Sequence, residues 1–179
     1  MKQADNLHRY GTISRVLHWL MALGFGFMLF TSLSLTFAGE AEWTNGFRNY
    51  HKIMGYFLMI LVIVRVLWTL FNNGKRPSAH STAAHLGHLA LYAVMIAVPL
   101  VGLLRQYGAA RGALTIGDIT LLPAAPERVD WLVKLGSQWH NLLAWTLFAL
   151  AAGHIVMVIV HRIKGDDVLP RMLGNKARH

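Results

Sequence analysis

The chain has 179 residues, which suits one domain, and 55% of them are apolar while only 14% are charged, against about 25% charged in ordinary globular proteins. That balance excludes a typical soluble fold and points to a membrane, and the absence of cysteine excludes disulfides, thiolate chemistry and iron–sulfur ligation by the chain. The net charge of +9 comes with no nucleic-acid motif, and a basic membrane protein with its cations in loops accounts for it, so nucleic acid is set aside as a partner.

Four apolar runs approach or exceed the length that crosses about 30 Å of hydrocarbon. They are residues 16–37, then 53–71 with Arg65 as the sole charge, then 86–104 with Pro99, and finally 138–160. Each is read as a helix, because backbone groups in lipid must bond internally and no alternating strand pattern appears. The predicted fold is therefore all-α: an integral membrane four-helix bundle, one transmembrane domain over residues 1–179. The first run is expected to be retained rather than cleaved as a signal peptide, since it is 22 residues long, carries His18 and is followed by three more spans. The outer loop 105–137 is the one sizeable extramembrane piece, expected to hold a short helix around residues 126–135.

Lys and Arg counts orient the bundle. The N-terminal tail, the 72–85 loop and the C-terminal tail hold ten, including Lys2, Lys176 and Arg178. The opposite face holds six: Arg48, Lys52, Arg105, Arg111, Arg128 and Lys134. Both termini are thus expected in the cytoplasm. Five of the eight acids (Glu40, Glu42, Asp118, Glu127, Asp130) fall on the outer side.

With that orientation, histidines can be compared by depth. In "WHNLLAWTLFALAAGH" His140 and His154 are fourteen residues apart, which puts them about 40° apart on one helix face and about 21 Å apart along the axis. His51 starts the second helix at the outer level of His140, and His18 starts the first at the inner level of His154. Paired neutral imidazoles from two helices can hold a haem iron from both sides, and two such pairs hold two haems. Two protein ligands per iron leave no position for oxygen, so such a design transfers electrons. Alanines sit one turn from each histidine in the stripe His140, Ala144, Leu147, Ala151, His154, giving a flat macrocycle room to approach. The second helix repeats the offsets as His51, Gly55, Leu58, Val62, Arg65. Arg65 should face inward to an anion such as a haem propionate, because facing lipid is costly. For any single histidine, a helix–helix hydrogen bond or an interfacial position is the plainer reading; the joint pattern carries the argument.

"RVLHW" in the first span, His51 followed by Gly55 and Arg65, "HLGHLALY" with Pro99 and "GL" in the third, "ERVD" before "WH", and the ending with "DDVLPRM" together resemble the bacterial cytochrome b561 family from about Arg9 to Met172. That resemblance implies a bacterial inner-membrane protein with two haem b, the outer held by His51 and His140 and the inner by His18 and His154. It also implies electron exchange with ubiquinone, and in one branch oxidation of superoxide arriving from outside. The spacing, including His161 seven residues after His154, is similar to that superoxide oxidase branch, whereas related subunits serve a hydrogenase or dehydrogenase.

The working expectation is a superoxide:ubiquinone oxidoreductase embedded in lipid, fed by superoxide or a redox protein on the outer side. The six outer cations could draw in the anion or stand as solvated charges beside the outer acids. His161 is the candidate proton donor to quinone, or an interfacial histidine among headgroups. Ser14 and Arg15 could line the quinone site, with Arg15 alternatively on a propionate. His85 and His88 read as polar residues of a helix start or as propionate contacts, and His8, His80 and His179 as solvated. A histidine-lined metal-ion transporter would want carboxylates inside the bundle, and the spans have none; a structural assembly factor is the third alternative.

Overall fold

Each apolar run forms a helix longer than the run itself. In the computed structural model, which describes residues 4–39, 41–77 and 81–174, α1 spans Thr12–Phe37, α2 Phe47–Phe71, α3 Thr82–Gly108 and α4 Asp130–Ile163. All four are long and apolar enough to cross a membrane. A five-residue α5, Leu169–Leu173, follows. Lys2, Glu40, His80, Lys176, Arg178 and His179 lie outside the described residues. The helices run past the hydrocarbon-length segments at both ends or at one. Ser81 caps α3 by accepting from the Ala84 N–H at 3.1 Å.

The 105–137 segment departs from expectation twice. The helix foreseen around 126–135 is the opening of α4 itself, since nothing between Asp130 and Gln138 interrupts the helix. Ahead of it stands a strand pair the sequence pattern did not suggest: β1 Leu114–Ile116 and β2 Ile119–Leu122, antiparallel, with Thr115 opposite Thr120 and Ile116 opposite Ile119. Gly117 makes the turn at φ 55°, a region open to glycine at no steric cost. Leu114 is buried, and β1 packs against α2.

Neighbouring helices pack in sequence, α1 on α2, α2 on α3 and, most extensively, α3 on α4. Glycine allows that last contact. A Cβ at Gly108 would stand 2.6 Å from the Leu132 Cβ, and one at Gly136 would stand 2.3 Å from the Arg105 Cβ, so the two backbones approach as closely as small residues permit. The bundle thus has a hairpin end, with the 3-10 turn Glu42–Thr44 and the β-strands, and a terminal end, where the N-terminal segment meets α5.

A buried polar knot ties the terminal end. Asp5 accepts from the Gly11 N–H at 2.5 Å and the Ser14 hydroxyl at 2.7 Å, and pairs with Arg76 Nε at 3.2 Å. Its carboxylate therefore caps α1 with the charge the helix dipole favours. Trp68 Nε1 of α2 donates to Ser14 Oγ at 2.9 Å, and the Arg76 guanidinium lies 5.2 Å from the Tyr10 ring centre. Burial pushes the Tyr10 phenol up from its ordinary value, so it stays protonated. Removing one member of a buried ion pair leaves the other charge uncompensated, at about 3 kcal/mol. Asp5→Ala is therefore expected to lower the apparent thermal midpoint in detergent substantially, and an unchanged midpoint would show that the knot holds nothing.

Candidate functional site

Helix α4 presents one histidine toward each end of the bundle, and another helix meets each of them. His51 of α2 and His140 have ring centres 6.1 Å apart with planes at 79°. His18 of α1 and His154 have theirs 6.5 Å apart with planes at 63°. Two imidazoles joined through one metal ion, with N–metal bonds near 2.0 Å, have ring centres about 6 Å apart. Both pairs stand at that separation. Among the described residues no group of three or more His, Cys, Asp or Glu could hold a metal ion. Two donors per site suit an iron whose remaining positions are filled by a macrocycle.

At the hairpin-end pair the second ring nitrogens are already committed. His140 Nδ1 lies 3.0 Å from the Val98 carbonyl, which can only accept, so Nδ1 carries the proton and Nε2 keeps its lone pair. His51 Nδ1 lies 3.0 Å from Thr31 Oγ1. The Thr31 hydroxyl, wholly buried, donates back to the Phe27 and Met28 carbonyls at 3.1 Å, leaving its oxygen to accept from His51. In both residues Nε2 is the atom left for iron. Gly102 of α3 completes the seat: a Cβ there would stand 2.8 Å from His140 Cε1 and 2.9 Å from Nδ1. Gly55, expected to clear space beside His51, is buried near the Met28 side chain. Ala144 and Ala151 are half-buried and Leu147 between them is buried.

The terminal-end pair has company. The His88 ring of α3 lies 5.5 Å from that of His154, so this histidine joins the pair, while His85 stands exposed at the helix start. The Trp19 ring packs edge-on to His18 at 5.3 Å. Arg65 points into the bundle: Nε donates to the Tyr92 hydroxyl at 3.0 Å, Thr69 shares that hydroxyl at 3.3 Å, and the guanidinium lies 5.7 Å from the Tyr92 ring centre. It is near enough to act electrostatically on His18, His88 and His154.

Three other residues proposed from sequence have partners of their own at the terminal end. Ser14 belongs to the Asp5 knot. Arg15 turns toward α5, its Nη1 donating to the Leu173 carbonyl at 3.0 Å. His161, two turns past His154, has Nδ1 3.8 Å from Asp166 Oδ2. Thr31, Val98 and Tyr92 were not foreseen as supporting residues. Thr31 did leave a signal, a hydroxyl in mid-span that must find a partner, whereas a backbone carbonyl such as Val98 leaves none.

The profile of the family described as prokaryotic cytochrome b561 matches residues 9–175. The chain belongs to that family. It is 31% identical over 184 residues to "Cytochrome b561 homolog 2" of Escherichia coli (strain K12), covering 99% of this chain and 97% of the relative. It is 24% identical over 174 residues to "Probable superoxide oxidase CybB" of Yersinia pestis, covering 94% and 97%. As a cytochrome b561 this is a multi-pass bacterial membrane protein of electron transfer, and the family implies b-type haem. The residues fit that group: imidazole pairs at iron-spanning distance, Nε2 atoms freed by held Nδ1 atoms, and a glycine that seats one ring.

Proposed function

We propose that this cytochrome b561 binds two haem b and passes electrons inward from superoxide to ubiquinone, with the hairpin end outside and both termini in the cytoplasm. The observation that carries the reading is the pair of imidazoles at each end, His51 with His140 and His18 with His154, hung on the single helix α4. Haem iron, when bound, supplies one-electron chemistry.

The chain's own residues supply the rest. At the hairpin end Lys52, next to His51, feels the charges of Arg105, Arg111 and Arg48. Such a cluster draws an anion toward the outer pair and raises its encounter rate. Each superoxide gives up one electron and leaves as dioxygen. Two such electrons and two protons convert one ubiquinone to ubiquinol at the terminal end. There His161, with Asp166 beside its Nδ1, is the residue assigned to hand over a proton. The name of the Yersinia relative agrees with this donor.

The test is pulsed superoxide on purified protein with a ubiquinone analogue, following haem reduction and then quinol. Haem reduction is expected to slow with ionic strength, and about tenfold in Arg105→Glu at low salt. If superoxide reduces the protein no faster than a neutral donor and salt has no effect, the chain serves instead as an electron-transfer subunit of a hydrogenase or dehydrogenase.

A further inference from the structure

The segment after α4 is bound to the start of α1 in an unusually complete way. Four successive carbonyls, those of residues 171–174, each accept from a donor between residues 9 and 19. The Tyr10 N–H reaches Arg171 O at 3.2 Å, Trp19 Nε1 reaches Met172 O at 3.3 Å, Arg15 Nη1 reaches Leu173 O at 3.0 Å and Arg9 Nη1 reaches Gly174 O at 3.3 Å. The strap therefore lies at the terminal end against the helix that carries His18, one residue from Trp19.

One buried nitrogen on this strap is unaccounted for. Arg171 Nε is buried with no hydrogen-bond partner. The described carboxylates at this end are all engaged elsewhere. Asp5 serves Arg76, Ser14 and Gly11, Asp166 faces His161, and Asp167 faces Arg162 and caps Leu169. A guanidinium nitrogen kept from water is best matched by an anion, and planar carboxylates fit its fork. None of the described carboxylates supplies that match.

We propose that residues 171–174 form a clasp that carries Arg171 to the His18–His154 site, where its guanidinium binds a carboxylate of the group held by that pair. This rests on the reading that the pair holds a haem. Arg65, tied to Tyr92 and Thr69, would then share the anionic edge with Arg171 from the other side of the bundle. A cation on that edge favours the reduced, less positive iron, so it raises the inner midpoint potential.

The experiment is an optical redox titration with haem quantitation on full-length wild type, Arg171→Gln and Arg171→Lys, the outer signal being assigned as the one lost in His51→Ala. Wild type is expected to hold two haems per chain. In Arg171→Gln the inner midpoint should move negative and the inner haem should be lost on dilution roughly 10-fold to 100-fold more readily. The outer midpoint should stay put, which also certifies the fold, and Arg171→Lys should recover part of both effects. An Arg171→Gln protein with unchanged inner midpoint and retention, or with both centres shifted alike, overturns the proposal. So does a variant whose sole change is lost stabilisation by phosphatidylglycerol in nanodiscs, because the anion would then be a lipid phosphate. A wild type without an inner haem overturns the reading beneath it instead.

Discussion

Replacing His140 by alanine is expected to leave a folded chain that binds one haem instead of two. The two pairs share α4 but draw their second imidazole from different helices, α2 for His51 and α1 for His18, so one proposed ligand can be removed without touching the other pair. No third imidazole is packed on the His51–His140 pair among the described residues, whereas His88 stands 5.5 Å from His154 and offers a substitute at the terminal end. His140→Ala is therefore the cleaner substitution. On the proposed ligation it would remove one iron ligand, and it leaves the Val98 carbonyl without its donor. Haem quantitation per chain and the spectrum of the reduced protein measure the outcome. Two haems with an unaltered spectrum would strike out His140 as a ligand and, with it, the pairing of both sites.

How much of this was open to inspection in the sequence depends on what kind of signal each feature leaves. Spans are legible because the bilayer imposes length and apolarity, and ligand depth is legible because a helix converts residue number into height. That is how the placing of His140 and His154 toward opposite ends of α4, each facing a histidine of another helix, was expected. The β-hairpin escaped because its strands are three and four residues long, too short for a periodicity to establish itself. The fates of Ser14 and Arg15 escaped for another reason. Both are polar residues beside an expected site, and sequence could give them roles only by proximity. Their actual partners, Asp5, Trp68 and Leu173, come from three other segments, and contacts at such separation leave no local mark. His88 shows the converse: a residue taken for the polar start of a helix lies beside His154, because α3 and α4 pack along their lengths.

Gly102 supplies the sharpest test of the hairpin-end site, because it has no side chain and carries no charge. Its role is to be absent at one point. The His140 imidazole lies against α3 where a Cβ would sit, at 2.8 Å from Cε1 and 2.9 Å from Nδ1, well inside van der Waals contact. The ring cannot swing aside without breaking its 3.0 Å bond to Val98, and α4 cannot back away because Gly108 and Gly136 hold the two helices together further along. Alanine at 102 must therefore displace the ring by a few tenths of an ångström, and leucine must expel it. Gly102→Ala is expected to weaken the hold on the outer haem roughly 10-fold to 100-fold, the range seen when the support of a metal ligand is lost. Gly102→Leu should abolish outer binding while the inner centre still titrates. On the proposed function, in which electrons enter on that side, reduction by superoxide should then fail, while a small membrane-permeant reductant still reduces the remaining haem. A Gly102→Leu protein with full haem content would mean that His140 seats its ligand from another position, and the tautomer assigned through Val98 would fall with it.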